Sequence, residues 1–253
     1  MTGPGTSFPI KFMCRSERAV AKNGRTRLAS AIFVVLLAYV AWAQQKSDSA
    51  QERVLDQLDR AAANFRSAQA DFVWDQYQKV VDETDTQSGK VYYRRLGKET
   101  EMAADITEPD RKYVLMTDDK IQVYQPRIDQ VTVYNPGKNR EAVEGFMALG
   151  FGGGGHDMLK SFNVSYLGKE MLNGTETDKL DLVPKAQNVR NNISHIVLWI
   201  DPARGVSIQQ QLFQPSGDYR LAKYTNIQVN QRISDNVFRL KTTGKTKFIE
   251  PQG

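Results

Sequence analysis

The chain has 253 residues, 40% apolar and 25% charged, with a formal net charge of +5, two histidines and one cysteine. This composition excludes collagen-like, disordered and polytopic membrane classes. The positive charge lies at the N-terminus, where Lys11, Arg15, Arg18, Lys22, Arg25 and Arg27 face one acid, Glu17, and beyond residue 43 the balance is zero. A neutral remainder lacks the basic surface that a phosphate backbone requires, which excludes DNA and RNA as partners.

The charged start gives way to an uncharged stretch, Leu28 to Ala43, ending in Ala41-Trp42-Ala43. A basic region, an apolar run and a small-x-small ending form the layout of a cleaved export signal. The expected organisation is a signal peptide over residues 1–43 and one domain over residues 44–253, with translation starting at Met1 or Met13. The competing reading is an uncleaved anchor, since the uncharged stretch continues to Gln45. Cys14 precedes the apolar run, so the exported chain is expected to be free of cysteine, disulfides and lipidation. A single core must then stabilise about 210 residues, which is ample.

Ser49 and Glu52 stand in capping-box spacing, and Val54, Leu55, Leu58, Ala61, Ala62 and Phe65 recur at helical period. This predicts a helix from about Glu52 to Ser67 with one apolar stripe. From Ala70 to Tyr134 short β-rich runs follow, with breaks expected at Gln87-Ser88-Gly89, Leu96-Gly97-Lys98, Glu108-Pro109-Asp110, Thr117-Asp118-Asp119 and Pro126-Arg127. That spacing predicts an antiparallel meander. Arg140 to Phe151 and His156 to Phe162 are read as two short helices on either side of four glycines. Strands then resume, with hairpin turns at Asn173-Gly174, Pro202-Gly205 and Pro215-Asp218 and a last segment around Val237-Lys241. About eleven strands exceed what a flat layer carries, so the sheet should curl. Three helices are too few to fill its concave face, which leaves a covered hollow suited to an apolar ligand.

No motif supplies chemistry. Gly150 to Gly155 satisfies G-x-G-x-x-G, but a helical segment precedes it and no βαβ unit surrounds it, so a hinge is the expected role. His156 and His195 stand 39 positions apart with no third metal-ligand type clustered near either in sequence. No serine stands in G-x-S-x-G, and the acid pairs Asp82-Glu83 and Asp118-Asp119 fall at expected turns. The chain is therefore expected to have no catalytic residue, no metal site and no cofactor.

The leading helix followed by SAQADFVWDQ, then SGKVYYRR, ITEPDRKYVLMTDDKIQVYQPRIDQVTVYN, DMLKSFNVSYLGKEMLNGTETDKLDLVPK and HIVLWIDPARGVSIQQQLFQPSGDYR, resembles the LolA-type lipoprotein-carrier family from about Val54 to Lys247. The likeness is greatest to its outer-membrane lipoprotein-sorting relatives. The resemblance implies an unclosed antiparallel β-barrel lidded by helices and a non-enzymatic periplasmic carrier that shuttles lipoproteins from inner to outer membrane. Its implied partners are acylated lipoproteins or lipid, an inner-membrane release complex and an outer-membrane acceptor, with the carrier itself a monomer. On this basis Phe72, Trp74, Tyr93, Met102, Leu115, Val123 and Trp199 from strands, with Phe146, Met147, Leu149 and Met158 from the lid, are candidates to line the acyl cavity. A one-residue slip in register would turn any of the strand candidates outward. Family members usually carry a lid-closing arginine after the first hairpin, and none stands between Arg95 and Arg111, so no latch residue is assigned. The alternatives are a carrier of free lipid or glycolipid and a lipid-sensing envelope regulator of the same fold. Regulators of that kind add a second domain, for which 210 residues leave no room.

Overall fold

The computed structural model describes residues 48–97, 99–117, 120–135, 137 and 149–251. The expected signal peptide, residues 140–148 of the expected Arg140–Phe151 helix, and the candidates Phe146 and Met147 lie outside them. No helix among the described residues is long and apolar enough to cross a membrane.

Helix α1 occupies residues 48–64. It starts before the expected Ser49-Glu52 cap and stops short of Ser67, which opens the first strand because its amide and hydroxyl bond Asn230 and Gln231, just past the end of the strand that pairs with it. Twelve strands form one sheet: β1 (Ser67–Gln78), β2 (Glu83–Leu96), β3 (Glu99–Glu108), β4 (Lys112–Met116), β5 (Ile121–Gln125), β6 (Gln130–Tyr134), β7 (Phe162–Leu172), β8 (Thr175–Pro184), β9 (His195–Asp201), β10 (Val206–Phe213), β11 (Tyr219–Val229) and β12 (Lys247–Ile249). Helices α2 (Gly155–Ser161) and α3 (Gln187–Arg190) precede β7 and β9. The spatial order is β12-β6-β5-β4-β3-β2-β1-β11-β10-β9-β8-β7. Two meanders are thus zipped together along β1 and β11, and the sheet stays open between β12 and β7.

The expected mainly β, unclosed, helix-lidded architecture is present, with local corrections. The first hairpin turns at Lys79–Asp82, where Asp82 takes a left-handed φ of 54°, while Gln87-Ser88-Gly89 lies inside continuous β2. Gly89 serves contact here: a Cβ at that position would stand 2.0 Å from the Asp105 carbonyl oxygen on β3. Val237-Lys241 is no strand, since Asp235–Phe238 forms a 3-10 turn that lays Phe238 over Ala103 and Leu115. The twelfth strand, unforeseen, pairs in parallel with β6. Asn173-Gly174, Gly205 and Gly217 do occupy positive φ at the hairpin turns.

Register sorts the side chains onto two faces. One lateral row runs Ala68–Tyr93–Met102–Met116–Ile121 and the next runs Ala70–Val91–Ala104–Val114–Val123. Both belong to the inner face, the one that α1 covers. There Val54 and Leu58 of α1 pack with Leu180, Leu182, Ile196, Leu198 and Ile200 of β8 and β9, and Phe65 packs with Tyr93, Phe151 and Tyr224. Burial of this stripe is what fixes the helix, since a helix of this length has little stability alone.

Candidate functional site

The inner face is where the candidate ligand surface lies. Phe72, Tyr93, Met102, Leu149 and Met158 are buried on it, and Trp74 is half-buried, its ring stacked on Phe72 at a centroid distance of 4.2 Å. Val123 joins the same face through its pairing with Val114. Leu115 and Trp199 do not belong to this set. Leu115 packs with Ala103 and Phe238 on the outer face, one position out of step with Val114 and Met116. Trp199 pairs with Lys179 and Gln209, clusters outside with Val197 and Ile208, and donates its indole N–H to Glu170 Oε2 at 2.9 Å. In both strands apolar residues stand on each face, so hydrophobicity alone left the register open.

Away from α1, Trp74, Val114, Met116, Ile121 and Val123 remain only partly buried. The four residues of β4 and β5 form one apolar patch on adjacent strands, while Trp74 on β1 stands apart, beyond β2 and β3. A second group, Val164, Tyr166 and Leu212, fringes the α1 cluster on the opposite half of the sheet. Partly exposed apolar surface of this extent is the ordinary mark of a place that something else covers.

Residues 149–154 run across this face as a strap. The Leu149 carbonyl accepts from Gln210 Nε2 at 2.7 Å, and the Gly150 carbonyl accepts from the Ser207 amide at 2.8 Å. Phe151 inserts between Tyr93, stacked at 4.6 Å, and the edge of Tyr224 at 5.0 Å. Gly150 and Gly152 hold φ values of 80° and 84°, and a Cβ on Gly152 would meet the Phe65 ring at 2.4 Å. These glycines therefore serve close packing of a strap, and the loop is pinned where a free hinge was expected.

Arg95, at the end of β2, ties the strap to α1. Its Nη1 donates to the Ala62 carbonyl at 2.8 Å, its Nη2 donates to the Gly152 carbonyl at 2.5 Å, and its guanidinium lies 5.5 Å from the Phe65 ring centroid. One planar fork thus closes two separate chain segments onto the sheet. No latch residue was assigned from the sequence, and the fork belongs to Arg95, just before the stretch that lacks the family's arginine. Beside it, a cleft of about 440 Å³ opens between α1 and the β9–β10 turn, lined by Ala61, Phe65, Gly152, Val206, Gln57 and Arg60 among others.

The other end of α1 is held by charge. Asp178, 1% exposed, accepts from Arg53 Nη2 at 3.0 Å and from the Tyr166 hydroxyl at 2.9 Å. Burial and then the Asp178 carboxylate push the Tyr166 hydroxyl up to about 12, so it remains a donor at neutral pH. Arg53→Ala leaves that carboxylate buried with one neutral donor. Because the Arg53 side chain is 42% exposed, the expected loss is about 2 kcal/mol, below the roughly 3–5 of a fully buried pair; urea denaturation measures it.

Helix α2 meets α1 at Gly155, where a Cβ would fall 2.3 Å from the Leu55 carbonyl oxygen. Gly155→Ala must push the two helices apart and is expected to cost about 1–3 kcal/mol in the same assay. The contact brings His156 against α1, where its ring bonds Asp59 through Nδ1 and Glu52 through Nε2. These hydrogen bonds, that of Asp59 foremost, raise the His156 pKa above its ordinary value. Carboxylates thus do cluster at His156, and the two that bond its ring come from α1, far away in sequence. His195 pairs with Asp181 at 2.6 Å and stacks on Phe213, an ordinary surface pairing.

An open antiparallel sheet, apolar on the face that helices and a latched strap cover, defines a fold of the lipid- or lipoprotein-carrier type. The chain belongs to the LolA family: the family model described as outer membrane lipoprotein carrier protein LolA matches residues 63–241. Similar solved structures include an uncharacterized conserved protein from Thermus thermophilus, with 12% identity, a TM-score of 0.51, and coverage of 80% of this chain and 99% of that one. MucB is 12% identical at a TM-score of 0.49 over 78% of this chain, which spans 64% of the MucB chain and so less than two thirds of it. The Mycobacterium tuberculosis lipoprotein LppX is 13% identical at a TM-score of 0.44 over 74% of this chain and 99% of its own. None of the curated protein sequences matches the chain. At such identities the structural likeness concerns the fold alone.

Proposed function

We propose that this protein is a periplasmic carrier that takes the acyl chains of lipoproteins onto its inner face and hands them from inner to outer membrane without covalent chemistry. The observation that carries this reading is the Arg95 fork, which holds α1 and the strap by two backbone carbonyls over a sheet whose inner face keeps partly exposed apolar side chains on β4 and β5. Residues 1–43 act as the export signal, cleaved after Ala43. Loading breaks the Arg95 contacts, swings the strap and α1 outward, and replaces lid-to-sheet contacts with acyl-to-sheet contacts around Trp74, Met102, Met116 and Val123. Each buried methylene contributes about 0.8 kcal/mol, so part of one chain suffices for useful affinity. The closed state, which recovers the latch and the lid packing, supplies the drive for release. An inner-membrane release complex delivers the cargo and an outer-membrane acceptor receives it. The roles of Trp74, Met102, Val123, Phe72, Tyr93, Leu149 and Met158 as cavity lining belong to this reading, as do those of Phe146 and Met147.

Native mass spectrometry of the protein purified from its own envelope without detergent tests it. Adducts with the mass of diacylated or triacylated lipoproteins are expected. Phospholipid or glycolipid adducts alone would transfer the reading to a lipid carrier, and a protein that stays empty and takes up no acylated peptide would overturn it.

A further inference from the structure

Helix α1 presents Glu52, Asp56 and Asp59 at positions i, i+4 and i+7, hence on one face. The close approach of α2 at Gly155 sets His156 onto that face. Asp59 grips this residue twice: its Oδ1 accepts from the His156 backbone N–H at 3.1 Å and its Oδ2 bonds the ring at Nδ1. With Nδ1–H donated to Asp59, the second ring nitrogen is aimed at Glu52, with Nε2 3.0 Å from Oε1. Asp56 completes the arrangement. Glu52, Asp56 and His156 each offer one ligand atom, and these atoms lie within 4.8 Å of one another. A simple ion pair between the helices needs only Asp59 and Glu52. Asp56 makes no hydrogen bond or ion pair among the described residues, yet it stands within ligand distance of both Glu52 and His156.

We infer that Glu52, Asp56 and His156 form a binding site for a divalent transition-metal ion, Zn²⁺ being the best chemical match, with Asp59 as the carboxylate that orients the imidazole from behind. One imidazole nitrogen with two carboxylate oxygens suits a borderline ion, whereas Ca²⁺ and Mg²⁺ prefer oxygen alone. Metal–ligand distances of about 2.0–2.2 Å place neighbouring ligand atoms about 3.3–3.6 Å apart in a tetrahedron. The present spacing needs a closure of roughly 1 Å, within reach of a Glu52 side chain 61% exposed and a His156 side chain 41% exposed. Three protein ligands leave the fourth position to water. The hydrogen bond from Nδ1–H to Asp59 is the supporting contact that metal-binding histidines characteristically make. The bound ion cross-links α1 to α2, the helix that continues from the strap, and so adds a second fastening beside the Arg95 fork. The binding itself stands on the helix geometry and is independent of what the inner face carries.

The test is isothermal titration of the chelator-treated, ligand-free protein with ZnCl₂, alongside the visible spectrum of the Co²⁺-loaded form. One equivalent is expected to bind, with ligand-field bands in the Co²⁺ spectrum and a raised Tm. Asp59→Asn is expected to weaken binding about 10- to 100-fold, and His195→Ala to leave it unchanged. The double variant Glu52→Gln/Asp56→Asn keeps the Asp59–His156 contacts and so the fold, and it is expected to abolish binding, as is His156→Ala. Absence of binding at millimolar Zn²⁺, or full affinity in a folded Glu52→Gln/Asp56→Asn protein, would overturn the inference. Failure of lipopeptide uptake alongside intact Zn²⁺ binding would count against the carrier reading alone.

Discussion

Arg95→Leu is expected to raise the affinity for acylated cargo roughly 100-fold and to slow its release in proportion. The wild-type guanidinium makes two charge-assisted hydrogen bonds, to Ala62 O and Gly152 O, and both exist only when α1 and the strap are closed on the sheet. Such bonds are worth about 1.5–3 kcal/mol each when both partners are shielded. Part of Arg95 remains in contact with solvent, so a combined value of about 3 kcal/mol is the appropriate scale. Removing that from the closed state alone shifts the equilibrium toward the open, loaded form by about two powers of ten. Leucine keeps apolar bulk at this position while deleting both donors and the charge that faces the Phe65 ring. Arg95→Lys, with a single ammonium in place of a fork, should fall between. Fluorescence competition with a labelled triacylated peptide measures the affinity, and transfer to empty acceptor vesicles measures release. Unchanged affinity in Arg95→Leu would show that the fork does not gate the inner face.

Phe151→Ala should cost the unliganded protein about 3–5 kcal/mol, the usual range for emptying a fully buried phenylalanine site. Phe151 is 1% exposed and sits between the stacked Tyr93 ring and the edge of Tyr224, two partners that belong to β2 and β11. The void would lie at the seam of the two meanders, under the strap that Gln210, Ser207 and Arg95 hold by its carbonyls. Those bonds are expected to loosen with it, so dye binding to exposed apolar surface should rise at temperatures where the wild type stays dark. Phe151→Leu keeps most of the volume and should cost less than half as much. Urea denaturation of the two variants distinguishes the cases, since a loss below about 1 kcal/mol for alanine would mean that the strap is not anchored through this ring.

The architecture was legible because strands of this kind announce themselves. Alternating β-rich runs with Gly97, Pro109, Asn173-Gly174 and Gly217 between them predicted consecutive antiparallel neighbours, and that is the pairing of β2 through β6 and β7 through β11. The first turn was misplaced because Gly89 reads as punctuation, whereas it is a contact residue that admits the Asp105 carbonyl. The actual turn at Lys79–Asp82 carries exposed Val80 and Val81 and no glycine or proline, so its one local mark was the acid pair Asp82-Glu83, a weaker signal than the glycine at position 89. The inner-face residues were separable only by register. In VLM of β4 and VLWI of β9 apolar side chains point both ways, and the outer positions of Leu115 and Trp199 are decided by the C-terminal segment over β3 and β4 and by the Glu170 and Lys179 contacts of the indole. Arg95 was hidden for a different reason: its partners are backbone carbonyls 33 and 57 positions away, and a carbonyl leaves no trace in residue identity. The same distance in sequence hides the partners of His156, whose carboxylates stand 97 and 104 positions upstream on α1.

Occupation of the inner face by acyl chains, with the outer face left free, is what separates a carrier from a sheet that merely adsorbs lipid. Placing a photo-crosslinking side chain singly at Met102, Val123, Leu115 and Trp199, then irradiating each protein with a triacylated peptide, tests it directly. Crosslinks from positions 102 and 123, with none from 115 and 199, are the expected result. Crosslinks from the outer positions alone, or equally from all four, would contradict it.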